Sequence, residues 1–189
     1  GEVRRCSRTE HPALFAATLG GMGLTGVILR AAVRLRPVET AWIRQETRAL
    51  PDLDAALAAF DETAGATYSV AWIDCLATGA ATGRSLLMLG EHARRDELPA
   101  EARARPFATP PRKRRTVPFD APSFALNGLS VRLFNEAYYR MGVRKAGHAL
   151  VDWDSYFYPL DALLEWRRIY GRRGFLQFQC VLPDGEARA

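Results

Sequence analysis

The sequence predicts an α+β fold built on one antiparallel sheet with helices on one face, and three observations lead to that class. From residue 41 to residue 182, apart from one long polar insertion, the segments follow the order strand, helix, strand, strand, helix, strand. Residues of the strand segments alternate between two faces, which is typical of a half-buried sheet. Of the 189 residues, 48% are apolar, so the chain can form a core, yet no apolar run approaches the length of a membrane span.

The first 37 residues predict strand, helix, glycine loop and strand. Gly1–Cys6 has strand character, which suggests that the chain begins in the middle of a fold, and His11–Leu19 is typical of a short helix. Gly20–Gly26 holds four glycines in seven residues, and Val27–Leu35 then alternates apolar and basic residues. Dinucleotide fingerprints and P-loops run from a strand through glycines into a helix, so the reversed order here fits neither motif. A tight helix-to-strand connection is the alternative reading of the loop.

The remaining segments are predicted from periodicity and from turn residues. Pro51 and Asp52 are typical of a helix start, and Pro159 opens a second helix that Gly171 ends. Val131–Met141 is predicted as a short helix and Ala149–Phe157 as an extended segment. The predicted strands of this part are Ala41–Arg48, Thr67–Leu76, Arg84–Gly90 and Phe175–Leu182.

The net charge of +5 is confined to one segment. Residues 93–116 carry eight basic and three acidic side chains, whereas the rest of the chain is neutral. Six prolines lie in or just after this segment, so we predict a mobile, solvated loop at about 93–130. Its cations could hold phosphates or an anionic membrane face; a solvated linker is the alternative. Charge confined to one loop does not indicate a nucleic acid partner.

Cysteine and histidine usage points away from disulfides and metals. Cys6, Cys75 and Cys180 are far apart and odd in number, which favours reduced, mostly buried thiols. The three histidines are equally scattered, with no partner at metal-ligand spacing. The sequence has no signal-peptide pattern at its start. We therefore expect a cytoplasmic protein, or one peripheral at the inner membrane, without a bound metal.

Four patches together resemble flavoproteins of the vanillyl-alcohol-oxidase type. The first is His11–Pro37, with the core Leu-Phe-Ala-Ala-Thr-Leu-Gly-Gly-Met-Gly-Leu-Thr-Gly-Val-Ile. The others are Tyr68–Asp74, Tyr158–Asp161 with Glu165-Trp166, and Gly174–Gln179. Their order and spacing look most like the decaprenylphosphoryl-β-D-ribose 2′-oxidase family, FAD-linked oxidases of arabinan precursor synthesis for the cell wall. The chain would then be a central fragment of such an enzyme.

The resemblance implies two domains. Residues 1–38 would be the C-terminal part of the FAD-binding domain, and residues 39–189 the N-terminal part of an antiparallel-sheet substrate domain, or cap. In this superfamily the glycine-rich segment donates main-chain amides to the dinucleotide half of FAD. The residues expected to bind the cofactor are Gly20, Gly21, Gly23, Leu24, Thr25, Gly26, Val27 and Ile28.

The resemblance also implies residues that line the substrate site. Gln177 and Gln179 share a face of the closing strand and could donate and accept hydrogen bonds; two solvent-facing amides are the alternative. Trp72 would line the pocket, although a tryptophan in a strand usually serves packing. Phe157 stands where the family has a tyrosine, which puts the substrate in doubt. The remaining lining residues are Tyr158, Leu160 and Arg168, of which Arg168 supports the pocket rather than reacting.

The implied activity is hydride transfer from a secondary alcohol of a sugar to FAD. The substrate would be a polyprenyl-phosphate sugar, with a partner reductase and a peripheral membrane contact. No catalytic residue is visible, and we expect the fragment alone to be inactive. The alternatives are another sugar or aldonolactone oxidase of the superfamily and a non-catalytic α+β interaction module with a basic loop.

Overall fold

The structure, a computed structural model, describes residues 1–122 and 124–181. The chain divides into two compact units, Gly1–Pro37 and Val38–Ala189. The first unit contains one helix, and the second contains a four-stranded sheet with its helices. The predicted α+β class is therefore confirmed.

The first unit has a single helix, α1 (Pro12–Thr18), where the sequence predicts one. Pro12 suits the first helical position because its fixed φ already matches a helix. The predicted strands Gly1–Cys6 and Val27–Leu35 are wrong, since both segments lie in irregular structure. A strand is held by the neighbour to which its backbone bonds. Among the described residues of this unit no such partner strand exists.

The second unit is organised by an antiparallel sheet of four strands. These strands are β1 (Trp42–Leu50), β2 (Tyr68–Ile73), β3 (Ser85–His92) and β5 (Gly147–Asp152), in the order β2-β3-β1-β5. Three of them match predicted strands. The fourth corresponds to part of the predicted extended segment Ala149–Phe157, whose remainder forms the short helix α5 (Trp153–Phe157).

Helix α2 (Leu53–Glu62) covers one face of this sheet. The Asp52 side chain accepts a hydrogen bond from the Ala55 amide, as the predicted helix start requires. Small residues on α2 let it lie close to the sheet, and the resulting core consists of Leu50, Ala56, Ala59, Leu87 and Leu89. This cluster is the main hydrophobic core among the described residues.

Helix α4 (Gly128–Arg144) and helix α5 cover the opposite face. Gly142 on α4 lies so close to Leu86 that an added Cβ would come within 2.2 Å of its side chain, and Tyr156 on α5 packs against Gly90. Leu86 and Leu87 are neighbours on β3 and therefore point to opposite faces. The prediction of helices on one face is thus wrong, and β3 is covered on both sides.

The basic segment carries more structure than predicted. It contains a helical turn, α3 (Ala100–Arg103), and β4 (Arg115–Thr116), which pairs in parallel with β6 (Leu163–Leu164). Arginine side chains order it because they donate to backbone carbonyls, as Arg103 does to Leu98 and Asp96. Asn127 caps α4, so that helix begins before the predicted end of the loop at residue 130.

The last predicted helix and strand are also wrong. Between Pro159 and Arg173 the chain forms two 3₁₀ segments around β6, and Glu165 adopts a left-handed φ of 55°. Residues 175–181 form no strand, and Leu182 lies outside the described residues. The antiparallel sheet is instead completed by β5, which follows α4 in the chain.

Candidate functional site

Each glycine of the Gly20–Gly26 loop has a local structural reason. Gly20, Gly23 and Gly26 adopt φ values of 73°, 79° and 130°, a region that side chains disfavour. Gly21 has an ordinary φ, but a Cβ there would lie 2.1 Å from the Ala17 carbonyl oxygen. The loop thus needs its glycines to leave α1 and turn, whether or not it holds a ligand.

The same loop presents free backbone donors. It is closed by a hydrogen bond between the hydroxyls of Thr18 and Thr25 (3.0 Å) and by one from the Leu24 amide to the Gly21 carbonyl (2.9 Å). The amides of Met22, Gly23 and Thr25 donate to no acceptor in the described part of the chain. No atom lies within 4 Å of a Cβ built at Gly20, Gly23 or Gly26.

An open side with free amides fits the edge of a dinucleotide such as FAD. The eight residues predicted to bind the cofactor form this one stretch, and all except the half-buried Gly21 are exposed.

In the second unit, aromatic residues gather on the face that α4 and α5 cover. The Trp72 ring lies 4.8 Å from the Tyr138 ring on α4, and the Tyr68 ring lies 4.9 Å from the Phe157 ring on α5. Trp72 and Tyr68 point to the same face and are about 13 Å apart along β2. Half-exposed Val70 lies between them on that face. The structure therefore brings two predicted substrate residues, Trp72 and Phe157, to one face.

Polar groups lie beside the Tyr68–Phe157 pair. The Tyr68 hydroxyl is 3.2 Å from His92 Nε2. The Tyr156 hydroxyl is buried against Gly90 and has no hydrogen-bond partner in residues 1–122 and 124–181. Burial raises the pKa of Tyr156, and the neighbouring Glu91 and Tyr68 add to that shift. The Tyr156 hydroxyl therefore stays protonated at neutral pH and can donate a hydrogen bond.

The other predicted substrate residues have different surroundings. Tyr158 and Leu160 are exposed beyond α5, and the Tyr158 ring meets Trp153 edge to face at 6.0 Å. Arg168 donates to the carbonyls of Val117 and Pro118 at 3.2 and 3.1 Å, which is a supporting role for the backbone. Gln177 and Gln179 are exposed in the irregular stretch 175–181, so no strand of the described chain aligns their amides.

Sequence reasoning missed an ionic network, buried at Asp74, that contacts the middle of α4. Asp74, at the end of β2, is 2% exposed and accepts hydrogen bonds from Arg84 at 2.7 and 3.0 Å. Asn135 donates to the other carboxylate oxygen at 2.6 Å, and Arg84 also pairs with Glu136 at 2.7 Å. A signal was present in the sequence, because Asp74 lies near the end of the predicted strand Thr67–Leu76 and Arg84 begins the next one, and the adjoining ends of antiparallel neighbours lie side by side.

The network keeps Asp74 ionised. Burial alone would raise the pKa of Asp74, but the hydrogen bonds from Arg84, Asn135 and the Leu76 amide outweigh it and lower that pKa. The Arg84 guanidinium also lies 4.8 Å from the centre of the Tyr139 ring. The network joins the β2–β3 hairpin to α4, the helix that places Tyr138 on Trp72.

Two further properties of the described residues bear on chemistry. No cluster of three or more His, Cys, Asp or Glu side chains among them is placed to hold a metal ion. None of the helices found there is long and apolar enough to cross a membrane.

All three cysteines are free. Cys6 is half-buried, whereas Cys75 and Cys180 are exposed because they lie outside the core. The prediction of mostly buried thiols is therefore wrong.

Comparison with known proteins identifies oxidoreductases among the relatives. The chain is 34% identical, over 97% of its length, to decaprenylphosphoryl-β-D-ribose oxidase of Mycolicibacterium smegmatis. It spans 40% of the length of that relative. The resemblance inferred from the sequence is thus confirmed as a similarity over nearly the whole chain.

Shorter stretches match other proteins. Over 46 residues, 23% of the chain and 9% of the relative, it is 50% identical to cytokinin dehydrogenase 8 of Oryza sativa. Over 52% of the chain and 27% of the relative, it is 43% identical to an uncharacterised protein of Streptomyces coelicolor. No protein-family model matches the chain.

Proposed function

We propose that this chain is a segment of an FAD-dependent oxidoreductase that oxidises a secondary alcohol of a sugar, with decaprenylphosphoryl-β-D-ribose as the substrate. The observation that carries the proposal is the 34% identity over 97% of the chain to a decaprenylphosphoryl-β-D-ribose oxidase, because the aligned length includes most of both units. In this proposal the reaction takes place at the 2′ position, on the route to arabinan precursors, and a partner reductase accepts the electrons.

The glycine loop is the part of the chain that we assign to the cofactor. Met22, Gly23 and Thr25 have free amides beside an open surface, which supports backbone donation to the dinucleotide. FAD, when bound, would supply hydride acceptance. Residues of the unit 1–37 would bind the cofactor and orient it.

The second unit is assigned to the substrate. The proposal places Trp72 and Phe157 at the sugar site because they lie on one sheet face with hydroxyls beside them. Tyr158, Leu160, Gln177 and Gln179 complete the proposed lining, and Arg168 holds the backbone at residues 117 and 118.

A different sugar or aldonolactone oxidase is the second candidate. Phe157 favours it, because the resemblance implies a tyrosine at this position and a phenyl ring offers no hydroxyl to a substrate. The third candidate is a non-catalytic interaction module, which the basic segment would serve.

The test uses the longer protein that contains this chain, purified with its flavin under anaerobic conditions. A polyprenyl-phosphoryl ribose should bleach the flavin absorbance, whereas free sugars and aldonolactones should not. Bleaching by a free sugar or lactone alone would support the second candidate, and a protein without flavin would support the third.

Two variants test the loop itself. Gly23→Ala should reduce flavin retention on gel filtration, because φ of 79° strains an alanine and its methyl group would point into the open side. Gly65→Ala is the matched control, since Gly65 has an ordinary φ and open space around it. The 189-residue chain alone should elute colourless; a yellow chain would contradict the view that it holds one part of the cofactor site.

A further inference from the structure

The sheet face that α4 and α5 cover has an open row of residues between the two helices. This open row consists of the four residues that lie directly opposite one another on β2, β3, β1 and β5, namely Val70, Met88, Thr47 and Gly147. The row on one side passes through Leu86, against which α4 packs. The row on the other side passes through Gly90, against which α5 packs.

The covering of the central strand β3 is interrupted at this row. Leu86, Leu87 and Leu89 are at most 8% exposed, and Gly90 is buried as well. Within residues 85–90 only Met88 is half-buried, because it lies between the residue under α4 and the residue under α5. The open row is therefore a gap over the middle of the sheet and not an exposed edge.

Two polar side chains of β1 lie at this gap. Gln45 and Thr47 are two residues apart and so face the same side of the sheet. Gln45 Nε2 donates to Thr47 Oγ1 at 2.9 Å. Within residues 1–122 and 124–181 the Gln45 carbonyl oxygen and the Thr47 hydroxyl proton form no other hydrogen bond. The pair thus offers one acceptor and one donor to a ligand.

The chemistry of the surrounding positions restricts what the ligand can be. The open row carries no charged residue, and neither do the residues in register with Gly90, which are Tyr68, Gln45 and Ala149. A phosphate would require a cation, and a purely apolar ligand would leave the Gln45–Thr47 pair without partners. Trp72 adds an aromatic ring about 7 Å from Val70 along β2. A neutral ligand with several hydroxyl groups fits this combination.

We propose that the Gln45–Thr47 pair binds a sugar hydroxyl other than the one that is oxidised, and thereby determines which sugar the site accepts. The Gln45 carbonyl oxygen would accept a hydrogen bond from that hydroxyl and Thr47 would donate one to it, with the sugar ring over Val70 and Met88. In decaprenylphosphoryl-β-D-ribose the hydroxyl would be at the 3′ or the 5′ position, since the 2′ hydroxyl reacts. The inference rests on the sugar substrate of the proposed function and adds two residues of β1 to its site.

The experiment combines variants with deoxy substrates in the longer protein that contains this chain, purified with its flavin. Polyprenyl-phosphoryl ribose is compared with its 3′-deoxy and 5′-deoxy analogues as a flavin reductant. In the wild-type protein, loss of the bound hydroxyl should lower kcat/KM about tenfold, the effect of about one hydrogen bond. In Gln45→Leu the ribose substrate should lose a similar factor, but the same deoxy analogue should lose little more, because its partner is already absent. A merely structural defect would lower all three substrates equally.

Two further variants complete the series. Thr47→Val should reproduce the pattern of Gln45→Leu, because it removes the donor of the same pair. Ser69→Ala is the matched control: it also removes a hydroxyl from a strand, but Ser69 is exposed and faces the opposite side of the sheet. Its kcat/KM values should equal those of the wild type. Thermal unfolding of each variant reports whether the fold is kept.

The outcomes separate this inference from the oxidase assignment. Equal deoxy penalties in the wild type and in Gln45→Leu would overturn the Gln45–Thr47 site and leave the oxidase assignment untouched. If no sugar reduces the flavin, saturation-transfer NMR with methyl β-D-ribofuranoside decides. Transfer that weakens in Gln45→Leu but not in Ser69→Ala would keep the sugar site and reject the oxidase, whereas absent or unaltered transfer would reject both.

Discussion

Asp74 is a charged residue that is buried in the fold. Asp74 is enclosed by Arg84, Asn135 and a backbone amide, so both carboxylate oxygens are bonded. A buried pair of this kind contributes little relative to apolar packing, but removal of one member leaves an uncompensated charge. Its importance here is positional, because it ties α4 to the hairpin.

Asp74→Ala should therefore lower the free energy of unfolding by about 3 kcal/mol, since it removes the buried partner of the Arg84 guanidinium and leaves only the more exposed Glu136 to pair with it. Urea unfolding at neutral pH measures the difference. Asp61→Ala, at an exposed carboxylate, is the control and should change little. A loss of unfolding free energy no larger than that of the control would show that Glu136 alone is a sufficient partner for Arg84.

The same residue predicts a pH dependence. Folding lowers the pKa of Asp74, so its stabilising contribution is complete above the ordinary aspartate pKa of about 3.9 and is lost as pH falls through the lower folded value. The stability difference between the wild-type chain and Asp74→Ala should thus shrink in acid. A difference that stays constant down to the acid transition would argue against an ionised Asp74.

At the scale of elements, the basic segment is ordered by side chains rather than by a core. Arg112 and Arg168 each donate to backbone carbonyls of a segment distant in sequence. These bonds hold residues 112–121 beside residues 154–171, where β4 and β6 pair over only two residues each. Such a short ladder depends on the arginine contacts at its ends.

Arg112→Gln should accordingly release this segment. Hydrogen exchange at the amides of Val117 and Ala121, which bond to Leu164 and Arg168, should accelerate severalfold while β3 amides remain protected. Arg105→Gln serves as the control, since that exposed side chain donates to no carbonyl among the described residues. Unchanged exchange in Arg112→Gln would mean that the β4–β6 pairing persists by itself.

The sequence predicts an element well when the signal for that element is local. β1, α2, β2 and β3 were predictable because alternation and the Pro51-Asp52 start are local signals. The segments at 27–35 and 175–182 have equally clear alternation, yet the first forms no strand and the described part of the second, residues 175–181, forms none either. A strand is completed by its neighbour, which local pattern does not encode.

The site was predictable in the same uneven way. The glycine loop can be recognised from its composition. The contact between Trp72 and Tyr138 depends on how α4 crosses the sheet, so it can be recognised only once the fold is known. The side on which a helix packs is likewise set by tertiary contacts, so the sequence did not reveal that α2 and α4 cover opposite faces of the sheet.

At the scale of the whole molecule, the two units differ in how they are stabilised. The second unit has a core in which Ile43 and Leu87 are fully buried. In the first unit α1 has seven residues and buries none of them. A helix this short is marginal without packing.

Hydrogen exchange of the complete chain should show this contrast. Amides of α1 and of residues 20–35 should exchange at nearly unprotected rates, whereas amides of β1 and β3 should exchange only through global opening. Mass spectrometry of peptic peptides would resolve the two classes. Strong protection across residues 20–35 would contradict this expectation and would indicate that their apolar side chains are covered in solution.

The Gly20–Gly26 loop carries a consequence for the interpretation of its composition. Its glycines are required by backbone turns and by the Ala17 carbonyl, and these demands act on the folded chain at all times. A chain that keeps this loop conformation therefore needs these four glycines whether or not a ligand binds there. Glycine composition alone does not report ligand binding at the loop, whereas the uncovered amides of Met22, Gly23 and Thr25 are a separate feature that folding does not require.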